Sequence, residues 1–236
     1  MTNAFERTIQ LIGEDAFMRL QQARVILFGV GGVGGWIAEA LIRSGVGHLT
    51  IVDFDVVQES NLNRQLAATA DNIGEPKTEA MRRRLQAIIP QADVQAVQCE
   101  YNEQTYSRFD FSDYDLVIDA IDNVSSKVRL ICEATQSGTP LLSSMGAGRK
   151  TDVRQVRVSE FGKVEGCPLA RAIRKKMKQT MLFPQRKFLC VWSPEQQPAN
   201  REQPAVKGTV APIVGTFGMM LAGVALQTLQ EKQQSR

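Results

Sequence analysis

This sequence of 236 residues has very little histidine and no closely paired cysteines. It has one histidine, and its four cysteines form no C-x-x-C pair. The cysteines are Cys99, Cys132, Cys167 and Cys190. Their wide spacing argues against a disulfide framework and against a structural zinc site. His48 follows Gly47 at the start of an apolar run, so we interpret it as structural and expect no histidine-based acid/base mechanism.

A large excess of charge of one sign is also missing. The sequence has 28 Lys and Arg against 25 Asp and Glu, which gives a net charge of +3. This small excess does not by itself indicate nucleic-acid binding. The N-terminal segment MTNAFERTIQ lacks the basic and apolar regions of a secretory signal, which predicts a cytoplasmic protein. The hydrophobic content of 43% is enough for one well-buried α/β domain.

Long apolar runs are scarce except near the C-terminus. The stretch from Val210 to Leu229 carries no charge and is long enough to cross a membrane. Pro212 and several glycines interrupt it, together with Thr and Gln side chains. This composition favours a helix that packs on a sheet or at a subunit contact, and a membrane span over residues 208–230 is the less favoured alternative.

The pattern of a nucleotide-binding βαβ unit lies near the N-terminus. The apolar run Val25–Phe28 predicts a buried parallel strand, and a G-x-G-x-x-G loop leads from it into a helix from about Trp36 to Arg43. A second strand ends at Asp53, where an acidic residue would hold a nucleotide ribose. Glycines let the backbone approach phosphates, and the helix N-terminus offers unpaired N–H groups. The predicted loop residues are Gly29, Gly31, Gly32 and Gly34.

Three further motifs follow this unit in order. They are D-x-D-x-V-x-x-S-N-L-x-R-Q from Asp53, G-x-P-K ending at Lys77, and D-x-x-D-N ending at Asn123. This set resembles the adenylyltransferase family that activates carboxylates with ATP. The family includes the ubiquitin-activating enzymes and the bacterial activators of sulfur-carrier proteins. The resemblance extends from Arg7 to about Gly146.

The resemblance implies an α/β fold with a Rossmann-like, doubly wound, mainly parallel sheet and a smaller antiparallel C-terminal portion. Residues 1–150 would form the ATP-binding core with an N-terminal helix, and residues 151–236 the substrate-side portion of the same domain. It implies ATP and Mg²⁺ as cofactors, with Asp122 as the metal ligand. The remaining cofactor-binding residues implied by the motifs are Gly29, Gly31, Gly32, Gly34, Asp53, Asp55, Asn61, Arg64, Gln65 and Lys77.

The resemblance also implies catalytic roles for cationic side chains. Arg64 and Lys77 would neutralise the triphosphate, because a guanidinium and an ammonium both bind phosphate oxygens. In the family, an arginine matching Arg7 reaches across a homodimer to the ATP of the other subunit. The alternative for Arg7 is a solvated surface residue. Asp122 also has an alternative, as does Asp119, because either carboxylate is able to cap the helix predicted just after them. For Asp119, bracing of the loop is a further interpretation, whereas for Asp122 we favour the metal.

The last third of the chain indicates a branch of the family. The segments KVEGCPLARAIRKKMK and FLCVWSPE resemble the bacterial enzymes that dehydrate threonylcarbamoyladenosine in tRNA. The resemblance implies tRNA as the substrate and ATP-driven ring closure of the modified base. Activation of a sulfur-carrier protein remains the alternative, although its usual zinc cysteines are missing here, and a sulfur-transfer partner stays open. A third interpretation, an NAD-dependent oxidoreductase, leaves Arg64, Lys77 and Asp122 without a role.

Two features of this last third have competing interpretations. Cys190 either forms a transient bond with the activated carbonyl or is a buried thiol in a strand. The cations of a helix predicted from Pro168 to Gln179 either contact RNA or form a solvated face. Aromatic residues near this helix either stack on an unpaired base or belong to the core. They are Phe183, Phe188 and Trp192.

The periodicity predicts three further secondary-structure elements. Thr8 to Leu20 reads as one amphipathic helix, Asn102 to Phe109 as a short helix, and Asp152 to Ser159 as a strand with alternating valines.

Overall fold

The computed structural model describes residues 4–195 and 208–231. Its strands are β1 (Arg24–Phe28), β2 (His48–Asp53), β3 (Asp93–Gln98), β4 (Leu116–Asp119), β5 (Leu141–Ser144), β6 (Arg157–Glu160) and β7 (Leu189–Trp192). Its α-helices are α1 (Glu6–Ile12), α2 (Glu14–Gln22), α3 (Gly34–Arg43), α4 (Lys77–Ile88), α5 (Val124–Ser137), α6 (Pro168–Thr180) and α7 (Ala211–Glu231). Between Gly13 and Gln98 the chain alternates helix and strand, as expected for crossover connections between parallel strands.

All seven strands form one sheet in the order β3-β2-β1-β4-β5-β7-β6. The pairs are parallel except β6–β7, which is antiparallel. The sheet confirms the predicted fold class, including the antiparallel portion near the C-terminus. The chain order reverses direction between β1 and β4, and the crevice at the carboxyl ends of such a pair is where open α/β sheets bind ligands.

Helices cover both faces of the sheet, so its central strands are apolar on both sides. On one face, Ile37 of α3 and Phe217 of α7 are fully buried against Leu27 and Ile118 of the sheet. On the other face, buried side chains of α5 and α6 pack against Phe28 in a second core. Burial on two faces explains why β1 reads as a continuous apolar run rather than as an alternating pattern.

The N-terminal prediction of one helix from Thr8 to Leu20 is wrong. Gly13 separates α1 from α2 with a φ of 83°, a conformation that only glycine adopts without strain. α1 has no buried residue, whereas Phe17 and Leu20 of α2 are buried in the core. The chain therefore places α1 on the surface, separately from the helix that precedes β1.

Two short elements also differ from the predictions. Within the segment predicted as a helix from Asn102 to Phe109, only Tyr106–Arg108 forms a 3₁₀ turn, because the Asn102 and Thr105 side chains bond to local backbone groups. The predicted strand from Asp152 begins only at Arg157. The Asp152 carboxylate accepts a bond from the Arg154 N–H and starts a 3₁₀ turn instead.

The apolar C-terminal stretch forms α7, which packs on the sheet and against α3. A side chain at Gly218 would meet the Trp36 Cβ at 2.6 Å and the Val33 carbonyl oxygen at 2.8 Å, so glycine permits this close packing. This confirms the predicted buried helix. By length and composition α7 is also able to cross a membrane, and Met219 lies on its exposed side.

Candidate functional site

A crevice of about 600 Å³ lies at the carboxyl ends of β1, β2 and β4. We call it the pocket. The glycine loop forms one wall, the segment after β2 forms the second, and the turn after β4 forms the third. Of the predicted cofactor-binding residues, the pocket brings together Gly29, Gly31, Gly32, Asp53, Asp55, Asn61, Arg64, Gln65, Lys77 and Asp122. Gly34 is buried behind the loop and does not line the pocket.

The glycine loop is built for close approach of backbone to backbone. Gly29 has a φ of 87°, and a side chain there would lie 2.8 Å from the Ala120 carbonyl oxygen. A side chain at Gly34 would collide with the Gly29 carbonyl. The start of α3 is thus pressed against the end of β1, which leaves the backbone of the loop open to the pocket at Gly31 and Gly32.

The Asp53 carboxylate connects this loop to the end of β2. Its Oδ2 accepts a hydrogen bond of 2.8 Å from the Val30 N–H, and its Oδ1 accepts one of 2.9 Å from the Asp55 N–H. Burial raises the pKa of the Asp53 carboxyl above its ordinary value, and these two N–H donors offset part of that rise. Asp53 therefore fixes the loop and presents its carboxylate at the pocket wall.

Lys77 enters the pocket from the first turn of α4. Its ammonium Nζ lies 2.6 Å from the Asp55 carboxylate Oδ2, and the Lys77 N–H donates a 3.0 Å bond to the Asp55 carbonyl oxygen. The Lys77 side chain is only 8% exposed, whereas that of Asp55 is 47% exposed. A buried cation beside a half-exposed carboxylate is well placed to exchange that partner for the oxygens of a phosphate.

The segment after β2 adds a second cation. The Arg64 Nη1 donates to the Ser60 carbonyl oxygen at 2.6 Å and to the Asn63 Oδ1 at 2.9 Å. These bonds hold the half-buried Arg64 at the pocket wall, beside Gly32. Asn61 is buried, and its Oδ1 accepts from the Gln58 N–H, so part of its bonding capacity holds the loop rather than a ligand.

The turn after β4 rests on a buried ion pair. The Lys127 Nζ lies 2.8 Å from the Asp119 Oδ2, and both side chains are fully buried. The Ser143 hydroxyl donates to the same carboxylate oxygen at 2.7 Å. Lys127 also donates to the Ile121 carbonyl oxygen at 2.9 Å, which fixes the turn that carries Asp122. Sequence reasoning missed Lys127; the one available sign was a lysine placed among the apolar positions of α5.

Neither aspartate of this turn caps α5. Asn123 is the capping residue, because its Oδ1 accepts from the N–H groups of Ser125 and Ser126. The capping alternative for Asp119 and Asp122 is therefore wrong. Asp119 braces the turn instead, because its Oδ1 accepts a bond of 3.1 Å from the Ile121 N–H. Asp122 is exposed and lines the pocket.

The donor set at this end of the pocket fits a magnesium ion that arrives with phosphates. Among residues 4–195 and 208–231, no group of three or more His, Cys, Asp or Glu side chains is able to hold a metal ion alone. Mg²⁺ commonly takes one or two carboxylates and completes its shell with substrate phosphates and water. The Asp122 carboxylate lines the pocket and offers oxygens of the kind that Mg²⁺ prefers.

Tyr101 is a pocket residue that sequence reasoning missed. Its ring packs edge-on against Phe28, with 4.9 Å between the ring centroids. Its hydroxyl is buried and has no hydrogen-bond partner within the described parts of the chain. Burial raises the pKa of the Tyr101 hydroxyl, so it stays protonated and available as a donor.

The far end of the pocket is lined by small residues and by the start of α6. Gly146, Ala147 and Gly148 follow β5 there, beside Leu169. Lys150 lies just beyond and is buried; its Nζ donates to the carbonyl oxygens of Ser193 and Glu195 at 3.0 and 2.7 Å. Burial lowers the pKa of the Lys150 ammonium. The pocket therefore extends beyond the glycine loop and the turns after β2 and β4 to the start of α6.

Two predicted catalytic residues lie away from the pocket of their own chain. Arg7 is exposed on α1 and does not line the pocket. Cys190 is fully buried in β7, and burial raises the pKa of its thiol to about 12, which keeps it protonated near neutral pH. The structure thus favours the interpretation of Cys190 as a buried strand residue.

The aromatic residues proposed for base stacking separate into two groups. Phe188 stacks on Phe161 in the core, and the Trp192 indole N–H donates to the Ser159 hydroxyl at 2.8 Å. Both are buried, so the stacking interpretation is wrong for them. Phe183 is 45% exposed and remains available.

Comparison with known proteins gives consistent matches over this whole architecture. The sequence profile of the ThiF family matches residues 5–236. The chain is 39% identical over 179 residues to the tRNA threonylcarbamoyladenosine dehydratase of Bacillus subtilis, covering 76% of this chain and 70% of that protein. It is 29% identical over 210 residues to the molybdopterin-synthase adenylyltransferase of Escherichia coli, covering 89% of this chain and 74% of that protein.

Solved structures of a related enzyme match the fold. The tRNA N6-threonylcarbamoyladenosine dehydratase of Escherichia coli in complex with AMP is 32% identical, with a TM-score of 0.91, covering 99% of this chain and 96% of that chain. The same enzyme in complex with ATP gives a TM-score of 0.88 at the same identity and coverage.

Proposed function

Because the chain belongs to the ThiF family, we propose that it uses ATP to dehydrate threonylcarbamoyladenosine in tRNA. The observation that carries this function is the pocket, in which the glycine loop, Arg64, Lys77 and Asp122 surround one crevice. The dehydratases of Bacillus subtilis and Escherichia coli support it, because both resemble this chain over most of its length.

The first chemical step joins the substrate carboxylate to a phosphorus atom of ATP. A carboxylate oxygen of the threonylcarbamoyl group attacks phosphorus, and a phosphate-containing group leaves with the bonding electrons. Arg64 and Lys77 bind and neutralise the triphosphate, so they stabilise the charge that develops on the leaving oxygens. Asp53 receives the ribose hydroxyls at the end of β2.

The second step closes the ring. A nitrogen of the same threonylcarbamoyl group attacks the activated carbonyl, loses its proton and displaces the phosphate-bearing oxygen. The net result is loss of water from the modified base. Attack at the α-phosphorus yields AMP and pyrophosphate, and attack at the γ-phosphorus yields ADP and phosphate, so the released nucleotide identifies which bond breaks. Both steps rely mainly on positioning within the pocket.

Two further residues complete the proposed site. Asp122 would hold Mg²⁺, which supplies charge neutralisation on the phosphate oxygens when bound. Arg7 would act in a homodimer, reaching the pocket of the partner subunit. Its exposed position on α1, a helix with no buried residue, supports a contact outside its own subunit. The proposal places this homodimer in the cytoplasm, with tRNA as its substrate.

The alternative substrate is the C-terminal carboxylate of a ubiquitin-like sulfur carrier. The similarity to the Escherichia coli molybdopterin-synthase adenylyltransferase supports this alternative. The four cysteines here are all buried and none is paired, so the described residues offer no thiolate cluster for the zinc of that branch. A sulfur-transfer partner is not required by the proposed chemistry. An NAD-dependent oxidoreductase leaves Lys77 and Arg64 without a role.

Radiolabelled ATP distinguishes the two carboxylate substrates. The protein is incubated with labelled ATP and either threonylcarbamoylated tRNA or a sulfur-carrier protein, and the released nucleotide is separated by chromatography. The proposed function predicts nucleotide release that depends on the modified tRNA, with none above background from unmodified transcript. Release that depends on the carrier protein alone would replace this function with the alternative.

A further inference from the structure

The outer face of α6 carries positive charge that no acidic residue of the helix balances. Arg171, Lys175 and Lys178 lie at positions i, i+4 and i+7, and all three are exposed. The opposite face buries Ala170, Ile173 and Met177 in the core, which fixes the orientation of the helix. Residues spaced in this way lie on one face of a helix. We call these three cations the α6 stripe.

The α6 stripe differs from the other arginine-rich helix of the protein. On α4, Arg82 pairs with Glu79, Arg83 with Glu75 and Arg84 with Glu39, at distances of 2.6–2.7 Å. The α6 sequence PLARAIRKKMKQT has no acidic residue, and no described carboxylate lies within 4.0 Å of the three stripe cations. Arg174 is excluded from the stripe, because it donates to the carbonyl oxygens of Phe161 and Val164.

The position of α6 links the stripe to the pocket. Leu169, in the first turn of α6, lines the pocket beside Gly146. The stripe begins two residues later at Arg171 and runs away from the pocket for about 10 Å, at a rise of about 1.5 Å per residue. Just past the helix, Met181 and Phe183 are 75% and 45% exposed. A ligand with one end in the pocket would therefore meet unpaired cations and then exposed apolar side chains.

On the basis of the function proposed above, we propose that the α6 stripe binds the sugar-phosphate backbone of the tRNA next to the modified base. A tRNA whose modified base enters the pocket must lay its adjoining backbone over one border of that pocket. The walls formed after β2 and β3 are less favourable to phosphates. Glu100 lines the pocket and is exposed, and exposed Glu59 lies in the chain between the pocket residues Gln58 and Ser60. Arg82 and Arg83 of α4 are already paired with glutamates. Unpaired cations attract phosphates and release their counterions, which gives affinity without sequence selectivity.

The test measures tRNA binding directly, without turnover. Fluorescence anisotropy of labelled threonylcarbamoylated tRNA gives the dissociation constant at several salt concentrations, for the full chain and for the double variant Lys175→Ala, Lys178→Ala. We expect the Kd for tRNA to rise about tenfold near 0.15 M salt, and the slope of log K against log salt to fall by about two. The Kd for ATP should stay unchanged, because neither lysine lines the pocket.

A matched control removes the same charge elsewhere. The double variant Arg82→Ala, Arg83→Ala loses two cations of α4 that are already paired with glutamates, so tRNA affinity and salt slope should match the parent protein. An equal loss of tRNA affinity in this control would show that the effect depends only on net charge, and it would overturn the proposal. The proposal would also be overturned if the α6 variant kept the tRNA affinity and the salt slope of the parent. The same holds for its reversed-charge form, Lys175→Glu, Lys178→Glu.

The outcomes separate this inference from the proposed function. If the parent binds tRNA through the α6 stripe but does not modify the tRNA, the proposed reaction is wrong and the proposed binding surface is retained. If the parent turns over tRNA and the α6 variants behave like the parent, only the surface fails. A parent without tRNA affinity overturns both, and binding of the α6 stripe to anionic vesicles instead of tRNA would assign it to a lipid surface.

Discussion

The ammonium of Lys77 and the carboxylate of Asp55 lie 2.6 Å apart, with the cation buried and the anion half-exposed. This asymmetry matters for function. Water reaches Asp55 and is able to replace its partner, whereas Lys77 gains little hydration in this position. In the proposed reaction, the pair would therefore separate when a phosphate group arrives, and Lys77 would exchange one oxygen anion for another.

Lys77→Ala should abolish most of the ATP-dependent turnover while the protein stays folded. We expect kcat/KM to fall by at least about 100-fold, because a pre-positioned cation at the transferring phosphate is lost. The thermal unfolding midpoint should change little, since the Asp55 left behind is 47% exposed and becomes hydrated. Arg82→Ala on the same helix is the control and should keep parental turnover. Full activity of Lys77→Ala would remove this role.

Heterodimers test whether Arg7 acts across the subunit contact. Arg7→Ala and Lys77→Ala chains are co-expressed with different affinity tags, and the heterodimers are isolated on both tags in turn. Each heterodimer has one site with both residues intact, so its turnover should be about half of the parental value. Each single variant alone should be inactive. Inactive heterodimers, or a fully active Arg7→Ala protein, would rule out the cross-subunit role.

Asp122→Asn should change the magnesium requirement. An amide oxygen is a weaker ligand for Mg²⁺ than a carboxylate. The Mg²⁺ concentration that gives half of the maximal rate should therefore rise at least about tenfold. ATP affinity measured in the presence of a chelator should change by less than about threefold, because the ligand is then metal-free. Asp113→Asn removes an exposed carboxylate outside the pocket and serves as the control. Parental magnesium dependence in Asp122→Asn would place the metal elsewhere.

Cys190→Ala should keep turnover within about threefold of the parent. A thiol with a pKa of about 12 is protonated below that pH, so its nucleophilic thiolate is scarce between pH 7 and 9. The variant should instead lose about 1–2 kcal/mol of unfolding free energy, because it leaves a small cavity in the core. Iodoacetamide should not label Cys190 in the native protein at pH 8. Loss of turnover without loss of stability would restore the covalent role.

The βαβ unit and its pocket were predictable because their requirements are local. Gly29 needs a positive φ and Gly34 a missing side chain, and each requirement leaves a glycine at a fixed place in the sequence. Asp53 and Lys77 likewise stand at the ends of strongly patterned elements. The predicted members of the pocket come together because parallel strands end at one edge of the sheet.

The features that escaped prediction depend on distant parts of the chain. Asp119 meets Ser143 because β4 and β5 pair in a particular register, and Lys127 reaches both Asp119 and the Ile121 carbonyl only once α5 packs on the sheet. The same holds for Tyr101, which joins the pocket lining only through tertiary packing against Phe28. Gly13 is a possible helix break in the sequence. The amphipathic periodicity continues on both sides of it, however, so the pattern predicted one helix rather than α1 and α2.

Mass spectrometry of tRNA nucleosides tests the central claim most directly. Threonylcarbamoylated tRNA is incubated with the purified protein, ATP and Mg²⁺, digested to nucleosides and compared with samples lacking ATP or carrying Lys77→Ala. The proposed reaction predicts that threonylcarbamoyladenosine is converted to a nucleoside lighter by one water, only with ATP and the unaltered protein. An unchanged nucleoside profile from protein that demonstrably binds both ATP and tRNA would contradict it.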